Sequence, residues 1–379
     1  MKIRIKNHDT ERDIGFPCSE NNLYSALSEV HSIDKDPMPV AVIEVDEPKE
    51  LGVLIGQSVD LDEINYLAKR MDSFDEKEMF QFLESVNHTG LKTPKDLINL
   101  TFNLDKFTLI QDISDMADVG WTYQLNTDGA LPSNDRGNPI YAEIGWKMLT
   151  SGKGIFTEHG LLFVSETPIE EVYDGSVFPT YDYCFTLMSA KIDYNGKQET
   201  IYLPDEDLAI IKAAKRLGAQ SIEDCTIDIY ACSVDASWMD RIQDIINTEG
   251  IFSANHLLQS LNDSEVDLDM LSAIVESVGT KKASNIAILA NHIDQFGFIN
   301  DIDSMGEVGH YFVDNDDDYS LHPDMEDFFN FSEFGEYITE EKEGTFVSGG
   351  FVYYDGQDCL NYILNQFEDE GEGFCMGIE

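Results

Sequence analysis

Leu97–Tyr123 reads LINLTFNLDKFTLIQDISDMADVGWTY and Ile286–Phe312 reads IAILANHIDQFGFINDIDSMGEVGHYF, and the two align without a gap at an offset of 189 residues. Leu100/Leu289, Asp105/Asp294, Phe107/Phe296, Ile110/Ile299, Asp112/Asp301, Ile113/Ile302, Met116/Met305, Val119/Val308 and Gly120/Gly309 are identical. Outside this stretch the match resumes at an offset of 190, with Glu143/Glu333, Gly145/Gly335, Gly154/Gly344, Phe156/Phe346 and Gly160/Gly350 downstream and Asn65/Asn255 and Leu67/Leu257 upstream. Self-similarity at a nearly fixed spacing marks a repeated structural unit. The chain therefore reads as a tandem duplication.

Each copy reads as α+β, running from a small sheet-plus-helix unit through a helical bundle to a mixed α+β end. The first copy is assigned to residues 1–164, divided at about 60 and 104, and the second to 184–379, divided at about 250 and 293. Residues 165–183, rich in Pro, Tyr and acids, read as a connector. Ile3 and Ile5 alternate with basic residues as in a strand, Leu23, Leu27 and Val30 mark a helix over 17–30, and VAVIEV at 40–45 is a second strand. Helical faces follow at Leu61, Ile64, Leu67, Ala68 and Met71, then at Phe80, Leu83 and Val86. Thr93-Pro94-Lys95-Asp96 has the form of a helix start, with Thr as N-cap and Pro at the first position, ahead of Leu97, Leu100 and Leu104. In the second copy a strand is expected from Phe185 to Ile192, a helix from Pro204 to Gly218, and a strand from Thr226 to Ala231.

Charge separates the two copies. The 379-residue chain carries 73 acids against 24 Lys and Arg, a formal net charge of −49. Such a charge repels itself and destabilises the compact state, so it implies either adaptation to high salt or a use for the negative field. Direct nucleic-acid binding is excluded as the main role, because it draws on Lys and Arg to release counterions from phosphates. Residues 283–379 hold 23 acids and one Lys, whereas the aligned window 94–190 holds 14 acids and five bases. The concentration is greatest from Asp301 to Glu343, where fifteen acids face only Lys342. Disordered acidic segments are poor in aromatics, whereas this one contains Phe328, Phe329, Phe331, Phe334 and Tyr337, so it is expected to fold and hold its carboxylates outward.

Cys18, Cys184, Cys225, Cys232, Cys359 and Cys375 form no Cys-x-x-Cys pair and read as thiols of a reducing, cytoplasmic compartment. The opening MKIRIKNHDTERDIGF lacks the apolar core of a signal peptide, and no run of apolar residues is long enough to span a membrane.

Several motifs form one pattern: Asn65-Tyr66-Leu67-Ala68, the leucine-rich helix entering Asp105-Lys106-Phe107, its echo at Asp294-Gln295-Phe296, and FNFSEFG at 329–335. Gly344-Thr345-Phe346 and Gly350-Phe351-Val352-Tyr353 complete it. Together these motifs resemble the ArdA-type antirestriction proteins of plasmids and conjugative elements. The resemblance implies an elongated, acidic, non-enzymatic mimic of B-DNA that occupies the DNA-binding groove of a type I restriction-modification enzyme, at its methyltransferase core. It also implies pairing, as a homodimer or as an intramolecular pseudo-dimer of the two copies. No cofactor, metal or membrane partner is expected. The candidate phosphate-mimicking carboxylates are Asp301, Asp303, Glu307, Asp314, Asp316, Asp317, Asp318, Asp324, Glu326, Asp327, Glu333, Glu336, Glu340 and Glu341, several of them three or four apart as on one helix face. An acidic adaptor for some other basic or DNA-binding protein is the alternative.

Catalytic motifs are largely missing: there is no Gly-x-Ser-x-Gly, no phosphate loop and no His-Glu-x-x-His. Pro323-Asp324 with Glu340-Glu341-Lys342 fits a loose metal-dependent nuclease pattern, but copy one has Ser133, Asn134, Thr150 and Gly152 there. Asp314–Asp318 fails as a calcium loop, since Tyr319 and Met325 stand where such a loop needs Gly and Glu. The eight histidines, His8, His31, His88, His159, His256, His292, His310 and His322, are scattered.

Overall fold

The structure is a computed structural model that describes the chain apart from residues 31–38, 133–134, 136, 183–185, 234–235, 265, 320, 358 and 366–379. His31, Ser133, Asn134, Cys184, Phe185 and Cys375 lie outside the described residues. By compactness the chain divides into a first unit of Met1–Cys184, Asp193–Thr200 and Leu208–Ile222, and a second of Phe185–Ile192, Ile201–Asp207 and Glu223–Glu379. The fold class is α+β, built from helices and small antiparallel sheets.

The first unit opens with β1 (Lys2–Asn7), β2 (Thr10–Gly15), α1 (Glu20–Glu29), β3 (Val40–Glu47) and β4 (Ser58–Val59), in the sheet order β2-β1-β3-β4. Ile3 and Ile5 point into the core as their alternation requires. Strand β2 was not anticipated: among TERDIG only Ile14 is buried, so it carries no alternation to read. Helix α1 starts at Glu20 and not Pro17, because the Ser19 side chain caps it by accepting from Asn22 N. Three helices follow, α2 (Leu61–Asp72), α3 (Glu76–Thr89) and α4 (Pro94–Thr101). Thr93 caps α4, accepting from Asp96 N at 3.1 Å, and Leu97 and Leu100 are buried, while Leu104 belongs to a short 3-10 turn beyond. The unit continues through β5 (Phe107–Ile110), α5 (Met116–Asp128), α6 (Pro139–Thr150), β6 (Ile155–Thr157) and β7 (Gly160–Val164), with sheet order β5-β7-β6.

Residues 165–182 do not hang free between elements. Asn99 accepts from Val172 N and Tyr173 N at 2.7 and 2.8 Å and donates to Tyr173 O, while Asn103 brackets Glu170 through both its N–H and C=O. Tyr173 is buried, and Phe178 stacks on Tyr66 at 4.3 Å. The segment is a strap across α4 and α2.

A hairpin of β8 (Met188–Tyr194) and β9 (Lys197–Leu203) is followed by α7 (Asp207–Leu217) and β10 (Thr226–Cys232), with sheet order β10-β8-β9. Helix α7 begins three residues after Pro204 and stops before Gly218, whose φ is +92°. Helices α8 (Ala236–Glu249), α9 (Ile251–Ser264), α10 (Leu268–Val278) and α11 (Ala283–Asn291) lead to β11 (Phe296–Asn300), α12 (Met305–Asn315), α13 (Phe331–Glu341), β12 (Thr345–Val347), β13 (Gly350–Tyr354) and α14 (Leu360–Asn365). Their sheet, β11-β13-β12, has the same order as β5-β7-β6.

The correspondence between copies extends to atoms. A Cβ on Gly120 would lie 1.8 Å from Tyr141 O and one on Gly145 2.0 Å from Met116 O; on Gly309 and Gly335 the distances are 2.1 Å to Phe331 O and 1.8 Å to Met305 O. In each copy two helices cross backbone against backbone, and only glycine fits at the crossing. Asn65 accepts from Cys18 N and donates to Cys18 O, and Asn255 does the same to Asp205. In both copies the bracketed residue directly follows a proline, Pro17 or Pro204.

Candidate protein-binding face

Helix α12 leaves the β11 edge through Asp301, whose backbone is left-handed with φ +60° and whose N–H donates to Gly349 O. Glu307 in the first turn reaches back to accept from Asp303 N at 3.1 Å and Ser304 Oγ at 3.0 Å, closing the helix start. These bonds, the Asp303 backbone N–H foremost, hold its carboxyl below the usual glutamate range. Glu307 is therefore part of the scaffold as well as an exposed charge. Asp316 caps the other end, is half-buried, and accepts from Asp318 N.

The core beneath is Ile299, Val308, Phe312, Ile338 and Phe351, with Tyr319 and Phe334 packed against it. Helix α13 buries Ile338 and Gly335 and half-buries Phe331 and Phe334. At about 100° per residue, Glu333, Glu336, Tyr337, Glu340 and Glu341 then fall within an outward arc of about 140°. Four carboxylates spread over the about 12 Å from Glu333 to Glu341 stand about 4 Å apart on average, near the 3.4 Å of a single DNA strand.

Thirteen of the fourteen candidate carboxylates are exposed, and Asp316 is the half-buried one. They do not lie on one helix. Asp324, Glu326 and Asp327 stand on a separate 3-10 turn, Pro323–Phe328, because Pro323 restarts the chain after α12 and Asn330 caps α13 anew. Asp314 lies in the last turn of α12, and Asp317 and Asp318 begin another short turn. Tyr319 donates to Glu341 at 2.9 Å, and its phenol is pushed up to about 12, first by burial and then by that carboxylate.

Compensating cations are scarce. Lys342, the one Lys or Arg after residue 282, is turned inward against the Phe312 and Tyr353 rings and bonded to Asp355 at 2.6 Å. Burial pulls its pKa down, but the Asp355 pair outweighs that and raises it, so the ammonium is spent locally. In the first unit, by contrast, Arg4 pairs with Asp13 and Glu44, Lys2 with Asp46, Lys95 with Glu171 and Lys153 with Glu166. Several acids of the first unit are thus paired, whereas the stretch from Asp301 to Glu343 sets fifteen acids against Lys342 alone.

One feature of this face was not legible in the sequence. The aromatics of 328–337 were expected to pack, and Phe329, Phe331 and Phe334 do, through ring contacts of 5.1 and 5.4 Å. Phe328 is instead 83% exposed, with Met325 at 53% and Tyr337 at 51%. A 3-10 turn has three residues per turn, so it places Phe328 directly above Met325, away from the core. The nuclease-like residues Asp324 and Glu340 sit on different elements, and among the described residues no group of three or more His, Cys, Asp or Glu could hold a metal ion. No helix among the described residues is long and apolar enough to cross a membrane. In comparisons with known proteins, no family model matches the chain and no curated protein matches it significantly.

Proposed function

We propose that this chain is a DNA mimic that occupies the DNA-binding groove of a basic enzyme, the type I restriction-modification methyltransferase core being the target implied by the ArdA resemblance. The observation that carries the reading is the outward arc of α13: its carboxylates approach the linear charge density of a DNA strand, on a helix fixed by a glycine crossing, with Lys342 turned inward. A rigid support matters because each like-charged pair at helical spacing costs a few tenths of a kcal/mol, which the core under α12 and α13 offsets. The role is stoichiometric binding, with no turnover of a substrate. Steering between opposite fields makes association fast and dependent on ionic strength. The test is displacement of duplex DNA from a type I methyltransferase core by the purified chain. Failure to displace DNA at micromolar chain would remove the reading and favour an acidic adaptor for another basic protein.

A further inference from the structure

Met325 and Phe328 on the Pro323–Phe328 turn and Tyr337 on α13 are exposed apolar side chains set among the carboxylates. Asp324, Glu326 and Asp327 surround Phe328 along its turn, and Glu333, Glu336, Glu340 and Glu341 surround Tyr337 on α13. Behind Tyr337 the rings are linked: Phe334 stacks on Tyr337 at 6.2 Å, Phe329 meets Phe334, and Phe331 stacks on His310 at 3.5 Å. Tyr337 at the surface is therefore backed by packed rings.

The fold does not require these exposed side chains. At the offset of 190, copy one has Asn138 for Phe328, Asp135 for Met325 and Lys147 for Tyr337, yet it makes the same glycine crossing and the same sheet. Copy one exposes rings elsewhere, Trp146 at 57% between Glu143 and Lys147 in sequence and Phe156 at 69% on β6. At the aligned positions copy two therefore carries apolar side chains where copy one has Asn138, Asp135 and Lys147, and no lysine stands beside Tyr337 on α13.

The partner that covers these side chains must be cationic, because the field of the surrounding carboxylates admits nothing else, and it must also offer an apolar planar surface to the rings. Lysine offers a compact, strongly hydrated charge. Arginine offers a delocalised plane that stacks on aromatic faces while its N–H groups reach carboxylates on either side. We infer that Phe328 and Tyr337, with their flanking carboxylates, form an arginine-selective docking site for a basic protein surface. The inference rests on the reading of the acidic face as a binding surface for a basic protein, and it adds which cation that surface presents.

The test uses the full chain with fluorescent oligo-arginine and oligo-lysine peptides of equal length and charge. The intact chain should bind the arginine peptide about two- to fivefold more tightly per ring engaged. Phe328→Ala should remove most of that preference, Phe328→Leu should do the same while keeping apolar area, and neither should change the dependence on salt. Asp324→Asn with Asp327→Asn should weaken both peptides equally. Equal affinity for the two peptides in the intact chain would overturn the inference while leaving the acidic face a binding surface. Binding of neither would remove both. Concentration-dependent self-association that Phe328→Ala abolishes, without arginine preference, would assign these side chains to a second copy of this chain and overturn the inference.

Discussion

Replacing Gly335 with alanine sets a Cβ 1.8 Å from the Met305 carbonyl oxygen, and neither backbone can yield without parting α12 from α13. Overpacking of this kind costs about 1–3 kcal/mol and sometimes more. Gly335→Ala should therefore lower the denaturant midpoint, whereas Gly15→Ala, whose Cβ would meet nothing within 4 Å, should change it little. Equal effects would show that the crossing is not what holds the acidic helices. The identity of Gly120/Gly309 and Gly145/Gly335 was visible in the sequence; its cause, two glycines facing across a helix pair, was not, because spacing along one chain says nothing of which helix lies opposite. Glu307 carries a pH dependence at the same scale. Its folded pKa lies below the unfolded value, so its cap on α12 is fully present above the ordinary glutamate range and is lost as pH falls through the lowered value. An NMR titration of the Glu307 carboxyl should give a midpoint below that of glutamate in a short unstructured peptide. A midpoint equal to the peptide's would contradict the cap.

Among the elements, the strap over 165–182 makes the sharpest prediction. Asn99→Ala leaves the Val172 and Tyr173 N–H groups without their acceptor, and for the buried Tyr173 donor an unsatisfied N–H costs about 1–3 kcal/mol. The variant should lose stability and gain a protease-sensitive site within 170–182; resistance equal to that of the parent would mean that Tyr173 and Phe178 alone hold the strap. Composition suggested a connector here because Pro, Tyr and acids usually mark loops. The signal that this connector is held down lay at the end of the leucine-rich helix, where Asn99 in α4 and Asn103 two residues beyond it offer two amides to the segment. Helices were otherwise the legible elements: Thr93 and Pro94 announced α4, and the period of Leu61 to Met71 announced α2. Element starts beside Pro17 and Pro204 were harder, since in both cases the helix waits for a later residue.

The whole molecule carries a formal charge of −49, and its repulsion opposes the folded state. Screening by salt should relieve that repulsion, so the melting temperature should rise as sodium chloride is added up to several tenths molar. A melting temperature that fell or stayed level would mean that ion pairs such as Arg4 with Asp13 and Lys95 with Glu171 matter more than the excess of acids from Asp301 to Glu343. The difference in charge between copies was fully legible in the sequence. Its arrangement was not, because Asp324, Glu326 and Asp327 leave the α13 series for a turn of their own, and Phe328 goes with them into solvent.

DNA mimicry is tested most directly by competition. A type I methyltransferase core holding labelled duplex DNA is titrated with the chain at several salt concentrations from about 50 to about 200 mM, a range over which phosphate-directed binding falls steeply. The chain should displace the DNA near stoichiometry at the low end, and its own affinity should fall at least about tenfold across the range. DNA that stays bound, or a chain affinity that stays level with salt, would contradict a function built on the carboxylates of α13.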